Sequence, residues 1–225
     1  SIVALKEKLI KAKATNKLPK VVIPVHFAGR CCDMDEINNI AKKYRLYIIS
    51  DAAHAIESTY KNKKIGQLAD LTVFSFYANK NLTTGEGGMI VTNNDEFAKE
   101  IRIRSLHGLS IDAWKRYSND GFKPYEILYP GYKYNMTDIQ ASLGIHQLKN
   151  LDDNLAIREK IWNQYNEGLD SVEGIIKVNE IKNQGIHARH LYIVLLDIEN
   201  LSITRNQFIK HMKNEGIGTG IHYTA

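Results

Sequence analysis

Cysteine is almost absent from this sequence: two occur in 225 residues, and Cys31 and Cys32 are neighbours. Adjacent cysteines bridge poorly, because a disulfide needs well-separated Cα positions. A disulfide scaffold is therefore excluded. The histidines His26, His107, His187, His190 and His222 are scattered, and none pairs with cysteines at ligand spacing. No metal site is expected. No apolar run reaches membrane-spanning length, and no stretch reads as a secretion signal. A reduced, cytoplasmic protein with no membrane partner is the expectation. The hydrolase elbow G-x-S-x-G is missing. So are the lysine-serine/threonine ending of a nucleotide P-loop and a dinucleotide fingerprint; His26-Phe27-Ala28-Gly29-Arg30, after the first expected strand, does not supply one. Excess charge is small, at +5. Lys6, Lys8, Lys11, Lys13, Lys17 and Lys20 are spread out, and Lys61, Lys63 and Lys64 share an expected turn. Aromatics do not interleave with them, so they read as solvated faces and no nucleic-acid partner is expected.

What is present is ordinary globular material, 44% hydrophobic and 24% charged, without repeats or low-complexity tracts. Apolar spacing predicts a helix over 3–14 and a short strand over 21–25. A second helix carries Met34, Ile37, Ile40, Ala41 and Tyr44. Asp33 is its expected N-cap, with Glu36 completing a capping box. Strands follow at 46–50, 71–76 and 88–92, then a helix capped by Asn94 or Asp95 with Phe97, Ile101 and Leu106 inward. Buried, continuous strand runs alternating with helices predict an α/β fold with a mostly parallel sheet covered on both faces. From Thr137 one long helical pattern runs to Gly168. A smaller α+β unit then follows, with strands at 191–196 and 217–222 and a helix from Thr204 to Glu215. The expected division is 1–150 for the large domain and 151–225 for a linking helix and part of a small domain.

Two strand ends carry unusual chemistry. Asp51 ends the run Leu46-Tyr47-Ile48-Ile49-Ser50, where α/β folds place ligands; the alternative reading is a helix N-cap. Lys80 follows the run Leu71 to Phe76 and precedes the glycine-rich turn Gly85-Glu86-Gly87-Gly88. Partial burial lowers a lysine's pKa toward a reactive amine. A carboxylate and an amine at the ends of neighbouring buried strands are what pyridoxal phosphate (PLP) requires. The lysine forms its Schiff base, and the aspartate keeps its pyridine nitrogen protonated. Ser75, inside the second strand, is either a core hydroxyl or a phosphate donor. His54, three residues after Asp51, faces the same way if a helical turn follows.

These stretches resemble the DegT/StrS-type nucleotide-sugar aminotransferases, PLP enzymes of fold type I. The resemblance runs in order through Val22-Ile23-Pro24-Val25-His26-Phe27-Ala28-Gly29, Asp51-Ala52-Ala53-His54-Ala55, Phe74-Ser75-Phe76 to Lys80, Gly85-Glu86-Gly87-Gly88 and His107-Gly108. It continues through Gly131 to Ala141 and Gly216 to His222. It implies Lys80 as the Schiff-base and proton-transfer residue, Asp51 at the pyridinium nitrogen, His54 at the ring's O3′ and Ser75 at the phosphate. It further implies Asn135 at the phosphate of a neighbouring subunit's cofactor in a homodimer with shared sites. His107 and His222 are implied near the substrate. The reaction implied is transamination of a nucleotide-linked keto sugar, a UDP-4-keto sugar in the nearest relatives, with glutamate as donor, for cell-surface glycan synthesis. Lysine rather than histidine at position 80 favours transamination over dehydration.

Family members carry about a hundred further N-terminal residues, including a phosphate-cupping turn and an aromatic that stacks on the ring. The large domain is therefore expected to lack its N-terminal part and the small domain its end. A non-catalytic or truncated PLP-fold protein with a regulatory role is the alternative expectation.

Overall fold

The computed structural model describes residues 1–110, 126–178 and 185–222. Its centre is a four-stranded sheet in the order β1-β2-β5-β6, from β1 (Val21–Val22), β2 (Tyr47–Asp51), β5 (Leu71–Ser75) and β6 (Gly88–Val91). β1, β2 and β5 run parallel, and β6 closes antiparallel on β5. The sheet is mixed and mostly parallel, as the apolar runs predict. Between β2 and β5 lies a hairpin, β3 (Thr59–Tyr60) and β4 (Lys63–Lys64). Its two-residue turn, Lys61-Asn62, has φ of 46° and 66°. Positive φ at both positions is the turn that matches the natural twist of paired strands.

Helix α1 (Ile2–Ala14) precedes β1, and α2 (Met34–Tyr44) connects β1 to β2. Asp33 caps α2 by accepting from the Glu36 N–H at 3.2 Å. Glu36 does not complete the expected capping box, because its carboxylate turns outward to Lys6 at 2.7 Å. The chain leaves α2 through Arg45 in a left-handed conformation. Met34, Ile37, Ile40 and Ala41 sit at helical spacing and are buried against Leu9, Leu46, Ile48, Ala52 and Ile65. This layer covers one face of the sheet. Burying each of its larger side chains contributes about 1.5–3 kcal/mol.

Helix α3 (Asp95–Ser105) is capped by Asn94, whose side chain accepts from the Phe97 N–H at 3.0 Å. The single helix expected from Thr137 to Gly168 is two: α4 (Asp138–Lys149) and α5 (Leu151–Gly168), broken at Asn150. Beyond them β7 (Ile175–Lys177) and β8 (Val194–Leu196) pair antiparallel, and α6 (Arg205–Asn214) starts at a Thr204–Gln207 capping box. The strand expected at 191–196 is thus shorter. The strand expected at 217–222 does not form, and that segment is exposed.

Candidate active site

β2 and β5 are adjacent and parallel, so their carboxyl ends deliver Asp51 and the segment bearing Lys80 to one edge of the sheet. Asp51 pairs with Val25 across a parallel bridge, and its carbonyl accepts from the His26 N–H at 3.0 Å. Its carboxylate accepts from the Ala53 N–H at 3.0 Å. That bond makes an Asx turn, so the N-cap reading gives way, since no helix follows. Lys80 lies in a turn closed by the Lys80 N–H to the Tyr77 carbonyl at 3.0 Å and the Thr84 N–H to the Phe76 carbonyl at 3.0 Å. Leu82 and Thr84 are buried and anchor this turn. Partial burial pulls the Lys80 amine below the usual lysine range, and the charge of Asp51 opposes that shift. The two groups therefore feel each other across the site.

His54 stands above the same edge. Its Nδ1 accepts from the Ala28 N–H at 3.3 Å. Desolvation, with Lys80 and His222 nearby, pushes its pKa down to about 4, against a smaller opposing effect of Asp51. The ring is neutral at pH 7 and carries its proton on Nε2. Around it gather the rings of His190 at 4.3 Å, His222 at 5.6 Å and Phe27 at 5.9 Å. Phe27 also lies 4.3 Å from His222. Ser75 ends β5 opposite Gly88, and its hydroxyl accepts from the Tyr77 N–H at 3.3 Å, leaving its proton to donate.

The sequence-predicted residues thus fall into two groups. Asp51, His54, Ser75, Lys80 and His222 converge at the carboxyl edge of β2 and β5. His107 and Asn135 lie elsewhere, both exposed. They belong to segments held together by the His107 N–H to the Tyr132 carbonyl at 2.8 Å and the Tyr134 N–H to the Ser105 carbonyl at 2.9 Å. Gly108 has φ of 72°, and a Cβ there would lie 1.7 Å from the Tyr129 carbonyl oxygen, so glycine alone permits this approach.

Sequence reasoning overlooked the residues behind His54 and Lys80. The Asn81 amide donates to the Glu57 carboxylate at 3.0 and 3.3 Å and to the Ala188 carbonyl at 2.8 Å. Asn81 Oδ1 lies 2.8 Å from His190 Nδ1. Glu57 is buried and ion-paired to Arg158 of α5. Nothing in the sequence Ile56-Glu57-Ser58-Thr59 marks Glu57 as buried, so no local signal pointed to it.

With this geometry in place, the chain belongs to the DegT/DnrJ/EryC1/StrS aminotransferase family, whose model matches residues 2–225. It is 54% identical over 210 residues to MJ1066 of Methanocaldococcus jannaschii, covering 93% of this chain and 54% of that protein. It is 48% identical over 205 residues to the spore coat polysaccharide biosynthesis protein SpsC of Bacillus subtilis, covering 91% of this chain and 52% of SpsC. Among solved structures, Spr1654 of Streptococcus pneumoniae, assigned as a sugar aminotransferase and solved in PLP and PMP forms, superposes with a TM-score of 0.80. Identity there is 36%, covering 91% of this chain and 54% of that one. The chain spans about half the length of the relatives it matches.

Proposed function

We propose that the protein transfers an amino group from glutamate to a nucleotide-linked keto sugar, a UDP-4-keto sugar, for glycan or polysaccharide synthesis, with PLP as cofactor. The observation that carries this reading is the convergence of Asp51, at the end of β2, and Lys80, in the turn that follows the adjacent parallel β5. The donor set fits the cofactor. Asp51 offers a carboxylate for a pyridinium nitrogen, Lys80 an amine for an aldehyde carbon, His54 an Nε2–H for a phenolate oxygen, and Ser75 a hydroxyl for a phosphate. Bound there, PLP supplies a carbonyl that condenses with amines and a ring that accepts the electron pair left when a neighbouring C–H bond breaks.

The chain's own residues do the remaining work. The lowered pKa of Lys80 leaves more of its amine unprotonated, ready to take a proton from the donor's α-carbon and return it to the acceptor's. Asp51 would set its carboxylate against the ring nitrogen in a partly desolvated site, where such a pairing is strengthened. His54 holds its proton on Nε2 because Ala28 occupies Nδ1. His222 and Phe27 form the wall on which a substrate would rest.

The active unit in this reading is a cytoplasmic homodimer, with residues 1–150 as the cofactor-binding domain and 151–225 as the linking helix and part of the small one. Asn135 reaches the partner's cofactor phosphate, and His107 approaches the substrate. Exposure of Asn135 beside the uncovered Ile139 and Leu143 supports a partner there. Among the described residues no helix is long and apolar enough to cross a membrane.

The test is to incubate the protein with PLP, reduce with borohydride and map the modified peptide. The expected result is one cofactor on Lys80, lost in Lys80→Ala, together with conversion of a UDP-4-keto sugar to an amino sugar at the expense of glutamate. Absence of the adduct from the wild-type protein would sink the reading.

A further inference from the structure

We propose that Asn81 is a positioning residue that sets the ring state of His190 and, through it, the seating of His54, while tethering the turn that presents Lys80. The proposal rests on the roles of Lys80 and His54 given above.

The Asn81 amide is oriented without ambiguity. One end faces two oxygens of the Glu57 carboxylate, at 3.0 and 3.3 Å, and the Ala188 carbonyl at 2.8 Å. Three acceptors surround that atom, so it is the donor nitrogen. The other end is therefore the oxygen, and it lies 2.8 Å from His190 Nδ1. An amide oxygen only accepts, so His190 carries its proton on Nδ1. Burial keeps the ring neutral, its pKa pushed down to about 4, so Nε2 is left bare.

The two rings share one support. Ala28 gives its N–H to His54 Nδ1 at 3.3 Å, and its carbonyl accepts from the His190 N–H at 3.1 Å. Ala28 is buried and holds φ of 59°, a left-handed conformation costly for a residue with a Cβ. The His190 ring then backs His54 at 4.3 Å. The Glu57 carboxylate that orients Asn81 is itself fixed by Arg158 from α5. One amide thus couples the linking helix, the ring against His54 and the residue next to Lys80.

Imidazole 15N NMR of the cofactor-free protein tests this. In the wild type His190 should show its proton on Nδ1 and His54 on Nε2. In Asn81→Leu, close in size but without an acceptor, His190 should populate both tautomers. In the isosteric Asn81→Asp, the new carboxylate should raise the His190 pKa above its present value of about 4. In both variants kcat should fall roughly 10- to 100-fold, as misplaced catalytic groups do, while the borohydride-trapped adduct still forms on Lys80. Unchanged tautomers and kcat in both variants would overturn the proposal. So would a loss of kcat in both variants with no change in the His190 tautomer or pKa, which would make Asn81 a structural residue only. Failure of the wild-type protein to trap PLP would refute the function proposed above, whereas the NMR result would still decide the role of Asn81.

Discussion

His222 meets His54 edge to face, with ring centroids 5.6 Å apart, although the two lie far apart in the sequence. The contact places a residue beyond α6 over the edge of the central sheet. It is also electrostatic, because His222 helps hold the His54 pKa down, behind desolvation and Lys80. His222→Ala should therefore raise the His54 pKa above about 4, read by NMR titration. If His222 lines the substrate side, KM for the sugar should rise while the cofactor adduct on Lys80 forms as before. An unchanged KM with a weakened adduct would put His222 on the cofactor instead.

Asp51 makes a similarly direct prediction. Asp51→Asn keeps the shape and can keep the Asx turn to Ala53, which needs only an oxygen acceptor. It removes the negative charge that would hold a pyridinium nitrogen. Folding, followed by thermal melting, should be little changed. Single-turnover amine transfer should slow roughly 100- to 1,000-fold, the usual effect of losing a preorganised electrostatic group. A wild-type rate would remove Asp51 from the cofactor.

Acid should destabilise this protein through its histidines. His26 is fully buried, with Nδ1 accepting from the Cys32 N–H at 3.1 Å. Desolvation lowers its pKa from 6.5 to about 4, partly opposed by Asp51. Between those values the unfolded chain binds a proton that the folded one refuses. Stability is thus unaffected above pH 6.5 and falls as pH drops toward 4, by about 3 kcal/mol for this group. His54 and His190 act in the same direction. His26→Asn, whose Oδ1 can take the bond from Cys32, should flatten the pH profile of denaturant unfolding. Superimposable profiles would argue that His26 charges freely in the folded state.

The sheet was legible because its strands are mainly apolar runs ended by polar residues, so Asp51 could be placed at a strand end, and Lys80 in the turn after the next strand, from local pattern alone. The wall around His54 was not. His190 and Phe27 reach it through packing between distant segments, which leaves no local signature. The helical period continues across Asn150, so nothing in the apolar spacing marks the break between α4 and α5. Ile217 to His222 has strand-like residues, but strand preference expresses itself only against a partner strand, and among the described residues none pairs with it. Asn81 read as one more polar residue in a turn, because its importance lies in which carboxylate and which ring it faces.

That carboxylate supports a last prediction. The Glu57 side chain is 1% exposed, and its cation is Arg158, 23% exposed, from α5. Desolvation raises the Glu57 pKa, while Asn81 and Arg158 hold it down. Arg158→Met keeps the length of the stem but leaves the buried Glu57 charge without its cation. Removing one partner of a buried pair costs about 3–5 kcal/mol, so the variant should unfold at lower denaturant near neutral pH. Its Glu57 pKa should climb further, and a glutamate pKa raised in the folded state gives stability back as pH falls through it. Relative to wild type, the defect should therefore shrink on mild acidification, opposite in sign to the histidine effect. Arg158→Met combined with Glu57→Gln should recover most of the loss at neutral pH, because no buried charge then remains. If the double variant is as unstable as the single one, Arg158 acts through its bond to the Ala188 carbonyl at 3.3 Å and not through the ion pair.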